Sequence, residues 1–131
     1  MAGFSKSERL HLKKDIALLF EKGEKWNSYP FRILLTVEKD SQDGQEIAML
    51  VSVAKRNFKK ASDRNRIKRQ IREAYRLNKD VLYTHAKDRL SEIGTIKIHI
   101  GLIYTAKSKE TWELIQNKVR KSIQETCQKT I

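Results

Sequence analysis

Residues 64–77 repeat apolar and basic side chains with the period of an α-helix, and this pattern constrains the fold more than any other stretch. Ile67, Ile71, Ala74 and Tyr75 recur at intervals of three and four, so they share one side of a helix. The opposite side carries four polar or basic residues flanked by Lys68, namely Asn65, Arg69, Arg72 and Arg76. The pattern therefore predicts a helix that buries one face and presents a basic stripe on the other.

The positive charge of the chain is concentrated around this helix. Residues 53–79 contain eleven Lys and Arg against two acids, and the whole chain of 131 residues carries a net charge of +12. Few acids at helical spacing neutralise the stripe, and repulsion of this size costs stability unless an anion relieves it. The charge therefore favours a nucleic-acid partner over an ordinary solvated surface. RNA is favoured over DNA because no helix-turn-helix or zinc-ligand spacing accompanies the arginines.

Composition limits the class of protein. A chain of 131 residues is most simply one domain, here 1–131, and is long enough to bury a core without cross-links. The single Cys127 cannot form an intramolecular disulfide, which suits a reducing compartment, and one Cys with three scattered His does not make a zinc site. Residues 1–7 lack an apolar core and no long apolar run follows, so we expect no signal peptide, no membrane partner and a cytoplasmic location.

The remaining chain is predicted to alternate helices and strands. The predicted helices are 7–22, 64–77, 78–92 and 109–128. The first is predicted to end at a left-handed Gly23 and the third at Gly94. Ser62 or Asp63 is predicted to cap the second helix, and Asn78 the third. The predicted strands are 31–37, 47–53 and 96–104, with a loop at 24–30 and a turn at 40–44. The short link predicts an antiparallel hairpin of the first two strands. This order predicts an α+β sandwich with helices packed on a small sheet.

Several of these segments together resemble the signature of the bacterial ribonuclease P protein component. The strongest block is 63–69, Asp-Arg-Asn-Arg-Ile-Lys-Arg, with 52–56, 59–61 and 71–76 as its flanks. The first predicted helix also resembles that family at Leu10, Lys14, Asp15, Leu19, Phe20, Lys22 and Gly23. The resemblance extends over residues 9–128. It implies an α+β two-layer sandwich with a small mixed sheet, ribosomal-protein-S5-domain-2-like, with a left-handed βαβ crossover.

The resemblance also implies a function. Members of that family assist a catalytic RNA, which holds Mg²⁺ and removes the 5′ leader of precursor tRNA to give the mature 5′ end. The residues that would bind RNA are Lys55, Arg56, Lys59, Lys60, Arg64, Asn65, Arg66, Lys68, Arg69, Arg72 and Arg76. The expected partners are ribonuclease P RNA and precursor tRNA, with no protein partner. No catalytic residue and no metal ligand is expected in this chain.

A cleft between the first helix and the sheet would hold the single-stranded leader. The resemblance assigns its lining to Ile16, Phe20, Leu34, Ser52 and Lys97. Family members often carry aromatic residues at the positions matched to Ile16 and Leu34, and aliphatic side chains stack less well on bases. Phe20 keeps its ring. The segment 78–95 is longer than the usual link in the family, and we interpret it as a surface helix.

Three other functions remain open from the residues alone. A ribosomal or other structural RNA-binding protein would share the charge, and a DNA-binding module would share part of it. A protein-only nuclease would need clustered carboxylates, but Asp63 and Glu73 are interpreted as a helix cap and a surface partner.

We expect the three histidines, His11, His85 and His99, to lie at or near the surface, and His99 could contact a phosphate. Trp112 is predicted in the core, whereas Trp26 could stack on a base or serve packing.

Overall fold

The computed structural model describes residues 8–39, 46–93 and 96–129, which form four helices and four strands. In chain order these are α1 (Lys13–Lys22), β1 (Glu24–Ser28), β2 (Phe31–Lys39), β3 (Glu46–Val53), α2 (Ala61–Asn78), α3 (Asp80–Ile93), β4 (Ile96–Tyr104) and α4 (Trp112–Lys129). The α+β class and the three predicted strands are confirmed. The predicted turn at 40–44 and the stop at Gly94 lie outside the described residues.

The four strands form one mixed sheet in the spatial order β1, β2, β4, β3. β4 pairs antiparallel with β2 and parallel with β3, and α2 and α3 lie in the crossover between the parallel strands. The predicted hairpin of β2 and β3 is therefore wrong. β4 lies between them because it is buried along almost its whole length, as a central strand must be. Alternation of apolar residues orients a strand but does not choose its neighbour. The handedness of the crossover stays a prediction.

Most of the core lies on the sheet face that α2, α3 and α4 cover. Ile67, Ile71 and Tyr75 of α2 are at most 1% exposed there, against the strand residues Ile33 and Ile98. A smaller cluster lies on the opposite face under α1, and it comprises Leu10, Leu19, Leu34 and Ala48. A Cβ atom at Gly101 would lie 3.2 Å from Leu19 Cδ2, so the glycine allows α1 to approach β4 closely.

The predicted helix ends need correction. α1 begins at Lys13 rather than residue 7, and Gly23 after it is extended, with φ −63° and ψ 147°, rather than left-handed. Its lack of a side chain matters for space, because a Cβ atom there would lie 2.3 Å from the carbonyl oxygen of Leu19. α2 begins at Ala61 after Lys60, so Ser62 and Asp63 lie inside the helix and do not cap it. α4 begins at Trp112, three residues later than predicted.

Two further predictions were wrong for the same reason, since tertiary pairing decided the local structure. β1 was predicted as a loop because its sequence, Glu-Lys-Trp-Asn-Ser, lacks a clean apolar alternation. It forms an edge strand because its backbone pairs antiparallel with β2. Asn78 was predicted to cap α3, but it ends α2. Its Nδ2 donates a hydrogen bond to Ala74 O and its Oδ1 accepts one from Arg120 Nε.

The segment before α1 is held against both layers. Glu8 is 8% exposed and accepts hydrogen bonds from Lys79 Nζ, at 2.8 and 2.9 Å, and from Tyr83 OH, at 2.7 Å. Leu10 N–H donates to Met49 O on the edge of β3. We call residues 8–10 the N-terminal arm. Its buried ion pair fixes Arg9 beside α2, because each charge satisfies the other in a site with little water.

Candidate nucleic-acid interface

The packing of α2 determines which of its side chains reach the surface. Burial of its apolar side turns a continuous basic surface outward, and we call Asn65, Arg66, Arg69, Arg72 and Arg76 the α2 basic face. The first three are exposed, and Arg72 and Arg76 are half-buried. The structure therefore confirms the predicted amphipathic helix, with its apolar side buried and its basic side accessible to solvent. Which nucleic acid contacts this face stays a prediction.

The structure leaves every predicted RNA-binding side chain at least partly accessible. Beside the α2 basic face, the exposed members of the set are Lys55, Arg56, Lys59 and Lys60, and the half-buried members are Arg64 and Lys68. The loop residues 55–60 lie directly before α2, so the loop and the start of the helix present charge together. This surface is suited to binding several phosphates at once.

Two of the predicted arginines also have partners within the chain. Arg64 Nη1 donates hydrogen bonds to the carbonyl oxygens of Phe58, at 2.7 Å, and Lys59, at 3.0 Å. Arg64 thus fastens the basic loop to the first turns of α2. Arg76 donates to both carboxylate oxygens of Glu73, at 2.8 and 2.6 Å. This contact lowers the pKa of Glu73 and raises that of Arg76, so both stay charged at neutral pH.

An open groove of about 680 Å³ lies over the α2 basic face. It is lined by Asn65, Arg69, Arg72 and Arg76 from the predicted set, and by four residues that were not predicted to bind RNA, namely Arg9, Gln70, Glu73 and Trp112. Burial, and secondarily the positive charge of Arg9, lower the pKa of Arg72. Two guanidinium groups held close enough to repel each other make this end of the groove a good environment for an anion.

The unpredicted residues reach the groove by tertiary packing. Arg9 arrives on the N-terminal arm, which pairs with Met49 at the edge of β3. Trp112 begins α4 and packs partly against the main core, as predicted, while part of it lines the groove. Neither residue carries a sequence signal for this location, because each is far from the middle of α2 along the chain.

A second basic opening lies where the parallel strands β3 and β4 end. Arg56, Asn57 and Lys107 line a groove of about 460 Å³. Arg56 follows β3 and Lys107 follows β4, and parallel neighbours end at the same edge of a sheet. Lys107 was not predicted to bind RNA, because the residue pattern alone predicted that β3 pairs with β2 and gave no reason to place the ends of β3 and β4 together.

On the other face of the sheet, α1 divides the predicted leader cleft into two sides. One flank of α1 carries Asp15, which lines a small pocket with Glu46 and Ala48. Phe20 is five residues further on, about 140° around the helix, so it lies on the opposite flank. Ser52 is six residues beyond Glu46 on the same face of β3 and lies on the Phe20 side. Ile16, half-buried, lies between α1 and the small core.

Two of the predicted cleft residues do not fit this arrangement. Leu34 is 1% exposed under α1, so it supports the helix and presents no surface to a ligand. Lys97 is in register with Glu46 and Glu38, on the Asp15 side of α1. It is therefore separated from Phe20 and Ser52 by the helix. The structure brings Ile16, Phe20 and Ser52 to one side, and Phe20 is 44% exposed there.

The histidine and tryptophan predictions are partly corrected. His99 is 3% exposed and its Nε2 pairs with Glu46 Oε2, so its side chain is occupied inside the protein and does not offer a surface contact to phosphate. His11 is exposed and His85 half-buried, as predicted. Trp26 serves packing, because Nε1 donates to Glu125 Oε1 at 3.0 Å and Lys129 Nζ lies 4.8 Å from its ring centroid.

Within residues 8–39, 46–93 and 96–129, no group of three His, Cys, Asp or Glu side chains is arranged to hold a metal ion. None of the helices in this part of the chain combines the length and apolar character needed to cross a membrane.

Comparison with known proteins identifies the family. The model of the ribonuclease P family matches residues 4–127. The chain belongs to the ribonuclease P family. A ribonuclease P protein component from Porphyromonas gingivalis is 44% identical over 87 residues, 66% of this chain and 63% of that protein. This match thus spans less than two thirds of the relative's length. The ribonuclease P protein component of Chlorobium phaeobacteroides is 30% identical over 118 residues, 87% of this chain and 81% of the relative.

Solved structures of ribonuclease P proteins share the fold. The protein from Thermotoga maritima superimposes with a TM-score of 0.64 and 24% identity, over 90% of this chain and 96% of that one. The protein from Staphylococcus aureus gives a TM-score of 0.62 and 21% identity, over 92% and 94% of the two chains. The mixed α+β architecture is therefore that of ribonuclease P proteins.

Proposed function

We propose that this chain is the protein subunit of a ribonuclease P ribonucleoprotein that removes the 5′ leader from precursor tRNA in the cytoplasm. The protein binds the catalytic RNA and the leader, and the RNA carries the active site and the Mg²⁺ ions. Membership of the ribonuclease P family supports this proposal. The observation that carries it is the α2 basic face, a surface rich in guanidinium groups that stands on one rigid helix.

The α2 basic face and the loop 55–60 dock on folded RNA in this proposal. Guanidinium groups bind phosphate oxygens through paired, charge-assisted hydrogen bonds, and a rigid helix holds several of them at fixed spacing. Each phosphate contact also releases condensed counterions, so the affinity falls steeply with salt. Arg64 acts mainly through the loop it fastens to α2, since its Nη1 already donates to two carbonyl oxygens.

Binding of the protein assists the reaction by electrostatics and by added contact. Two RNA molecules repel each other, and a basic protein at their junction screens that repulsion. The same neutralisation lowers the Mg²⁺ concentration that the catalytic RNA needs. The side of α1 that carries Phe20 and Ser52 contacts the unpaired leader, where an exposed ring provides a stacking surface for a base. Leader contact distinguishes precursor from mature tRNA.

The direct test is cleavage of 5′-labelled precursor tRNA by a bacterial ribonuclease P RNA at low Mg²⁺, with and without this protein. We expect cleavage at the mature 5′ end only when both components are present. Binding of the protein to the RNA should weaken with salt in the same experiment.

Three results would contradict the proposal in different ways. Salt-sensitive RNA binding without stimulation of cleavage would favour a structural RNA-binding protein such as a ribosomal protein. Cleavage by the protein alone would assign the chemistry to the chain itself. Equal competition by duplex DNA would favour a DNA-binding module.

A further inference from the structure

A row of four side chains crosses the whole sheet on the face that carries α1. Asn27 of β1 pairs with Arg32 of β2, Arg32 pairs with Ile103 of β4, and Ile103 pairs with Ser52 of β3. Side chains in register on adjacent strands point to the same side of the sheet. We call these four residues the open strip.

α1 leaves the open strip uncovered. The helix covers the neighbouring row, where Leu34 is 1% exposed and Leu19 packs against Gly101. In the open strip itself, Asn27 and Arg32 are exposed, and Ile103 and Ser52 are half-buried. The Phe20 flank of α1 faces this side of the sheet. The strip is thus an uncovered surface of the sheet, bordered on one side by α1 and the exposed ring of Phe20.

The Arg32 side chain is exposed on the open strip. Within the described part of the chain it forms no ion pair or side-chain hydrogen bond, and the same holds for Asn27. An arginine held by a rigid central strand loses little freedom when it binds a ligand, and its guanidinium plane stacks on nucleobases as well as binding phosphate. Ile103 adds an apolar surface beside it.

We propose that Arg32 is a specificity-determining contact for the unpaired leader, and that its guanidinium plane stacks on a leader base. This inference rests on the proposed function and deepens it. Two of the residues predicted to line the leader cleft, Ile16 and Leu34, are aliphatic, and Leu34 is 1% exposed. Arg32 supplies a second flat group on the same exposed surface as Phe20, and Asn27 supplies an amide for the polar edge of the base.

The test compares precursor tRNAs that carry a leader of several nucleotides or of a single nucleotide, bound to the reconstituted holoenzyme. We expect Arg32→Ala to weaken binding of the long-leader precursor about tenfold and to leave the single-nucleotide leader unchanged. Arg32→Lys should remain weak because lysine keeps the charge and loses the plane. Lys121→Ala is the control, since it removes an exposed cation from α4 on the opposite face of the sheet.

Each outcome decides the inference. No loss with Arg32→Ala, an equal loss for both leaders, or full rescue by lysine would overturn it. The affinity of each variant for the RNA subunit alone, with its thermal unfolding, shows whether docking or folding has changed instead. If the unaltered holoenzyme itself does not prefer the long leader, the proposed leader contact fails and this inference fails with it. If that preference exists and Arg32→Ala retains it, only the role of Arg32 is wrong.

Discussion

The two surfaces proposed to contact RNA are built in opposite ways. The α2 basic face comes from one helix, is dense in arginine and follows the helical period, so its members are close in the sequence. The Phe20 side of α1 is assembled from a helix and four strands, with Arg32 as the only cation in the open strip. Surfaces of the first kind bind phosphate regardless of sequence, whereas the second kind reads unpaired bases. In the proposed function, phosphate binding and base contact are thus separated between the two faces of the sheet.

The N-terminal arm supports both surfaces from beneath, and its loss should have the largest effect. Arg9 lines the groove over α2, while Leu10 packs in the small core under α1. Glu8→Gln removes the carboxylate that pairs with Lys79 and leaves a buried ammonium group with a neutral partner. Loss of one member of a buried pair costs about 3–5 kcal/mol. We expect a fall of this order in the free energy of unfolding, measured by urea denaturation.

This variant also tests whether both surfaces depend on the N-terminal arm for their stability. Leader preference and RNA docking should weaken together in Glu8→Gln at temperatures near its unfolding midpoint. A conservative control is Tyr83→Phe, which removes only the hydroxyl donor to Glu8 and should cost less. A Glu8→Gln protein as stable as the unaltered chain would mean that the arm is not anchored by this pair.

The next effect concerns the α2 basic face alone. Arg66→Ala combined with Arg69→Ala removes two exposed guanidinium groups and leaves the buried side of the helix unchanged. We expect the affinity for ribonuclease P RNA to fall about a hundredfold, since each charged hydrogen-bonding group contributes about tenfold. The slope of log K against log salt should become shallower by about 0.7–0.9 for each phosphate that the variant no longer binds.

The matched control for this double variant lies on α4. Arg120→Ala combined with Lys121→Ala removes the same charge from exposed positions outside the α2 basic face. If the two double variants weaken RNA binding equally, the net charge of the protein drives binding and the α2 basic face has no special role. Unchanged binding by the α2 variant would contradict the docking proposal.

A smaller and more selective effect is expected on the α1 side. Phe20→Ala removes an exposed ring and should weaken precursor tRNA binding by the holoenzyme about tenfold, with mature tRNA unaffected. Leu18→Ala is the control, because Leu18 is similarly exposed, at 49%, and lies on the flank of α1 opposite to Phe20, beside Thr36. Equal losses for precursor and mature tRNA would remove the leader assignment from this surface.

The contrast between the surfaces also explains what could be predicted from the sequence. The α2 basic face was predicted almost completely, since its residues depend only on the helical period. The open strip was not found, because Asn27, Arg32, Ile103 and Ser52 meet only when β4 lies between β2 and β3. That strand order was missed when a short link was interpreted as a hairpin. Arg9 and Lys107 were missed for the same reason, since pairing of distant strands brings them to their grooves.

Single positions show the same limit. Gly23 was predicted to end α1 in a left-handed conformation, but its φ is ordinary, and its small size is what the Leu19 carbonyl requires. Leu34 and Lys97 carry no signal that α1 covers one and separates the other from Phe20. Local periodicity therefore predicts which face of an element is buried. It does not predict which other helix or strand packs over that face, because this packing depends on contacts between distant segments of the chain.

The smallest expected effect has the opposite sign and lies within the α2 basic face itself. Glu73 neutralises Arg76 through two hydrogen bonds on an exposed turn of α2. Glu73→Gln removes that negative charge from the α2 basic face, so the affinity for ribonuclease P RNA should rise by about twofold, an effect typical of an exposed pair. The salt slope should become steeper, while Asp63→Asn, which removes an acid paired with Lys109 at the start of the same helix, should leave the Glu73–Arg76 contact unchanged.

The pH dependence of binding separates this local effect from a change in net charge. The hydrogen bonds from Arg76 lower the pKa of Glu73, so its carboxylate stays charged until the pH falls below the ordinary range for glutamate. The stability that the pair contributes is present above that range and is lost as pH falls through the lowered pKa. The affinity advantage of Glu73→Gln should therefore persist at neutral pH and shrink in acid, as the unaltered chain becomes neutral at this position. An advantage that stays constant through the acid range would mean that the negative charge of Glu73 is not its cause.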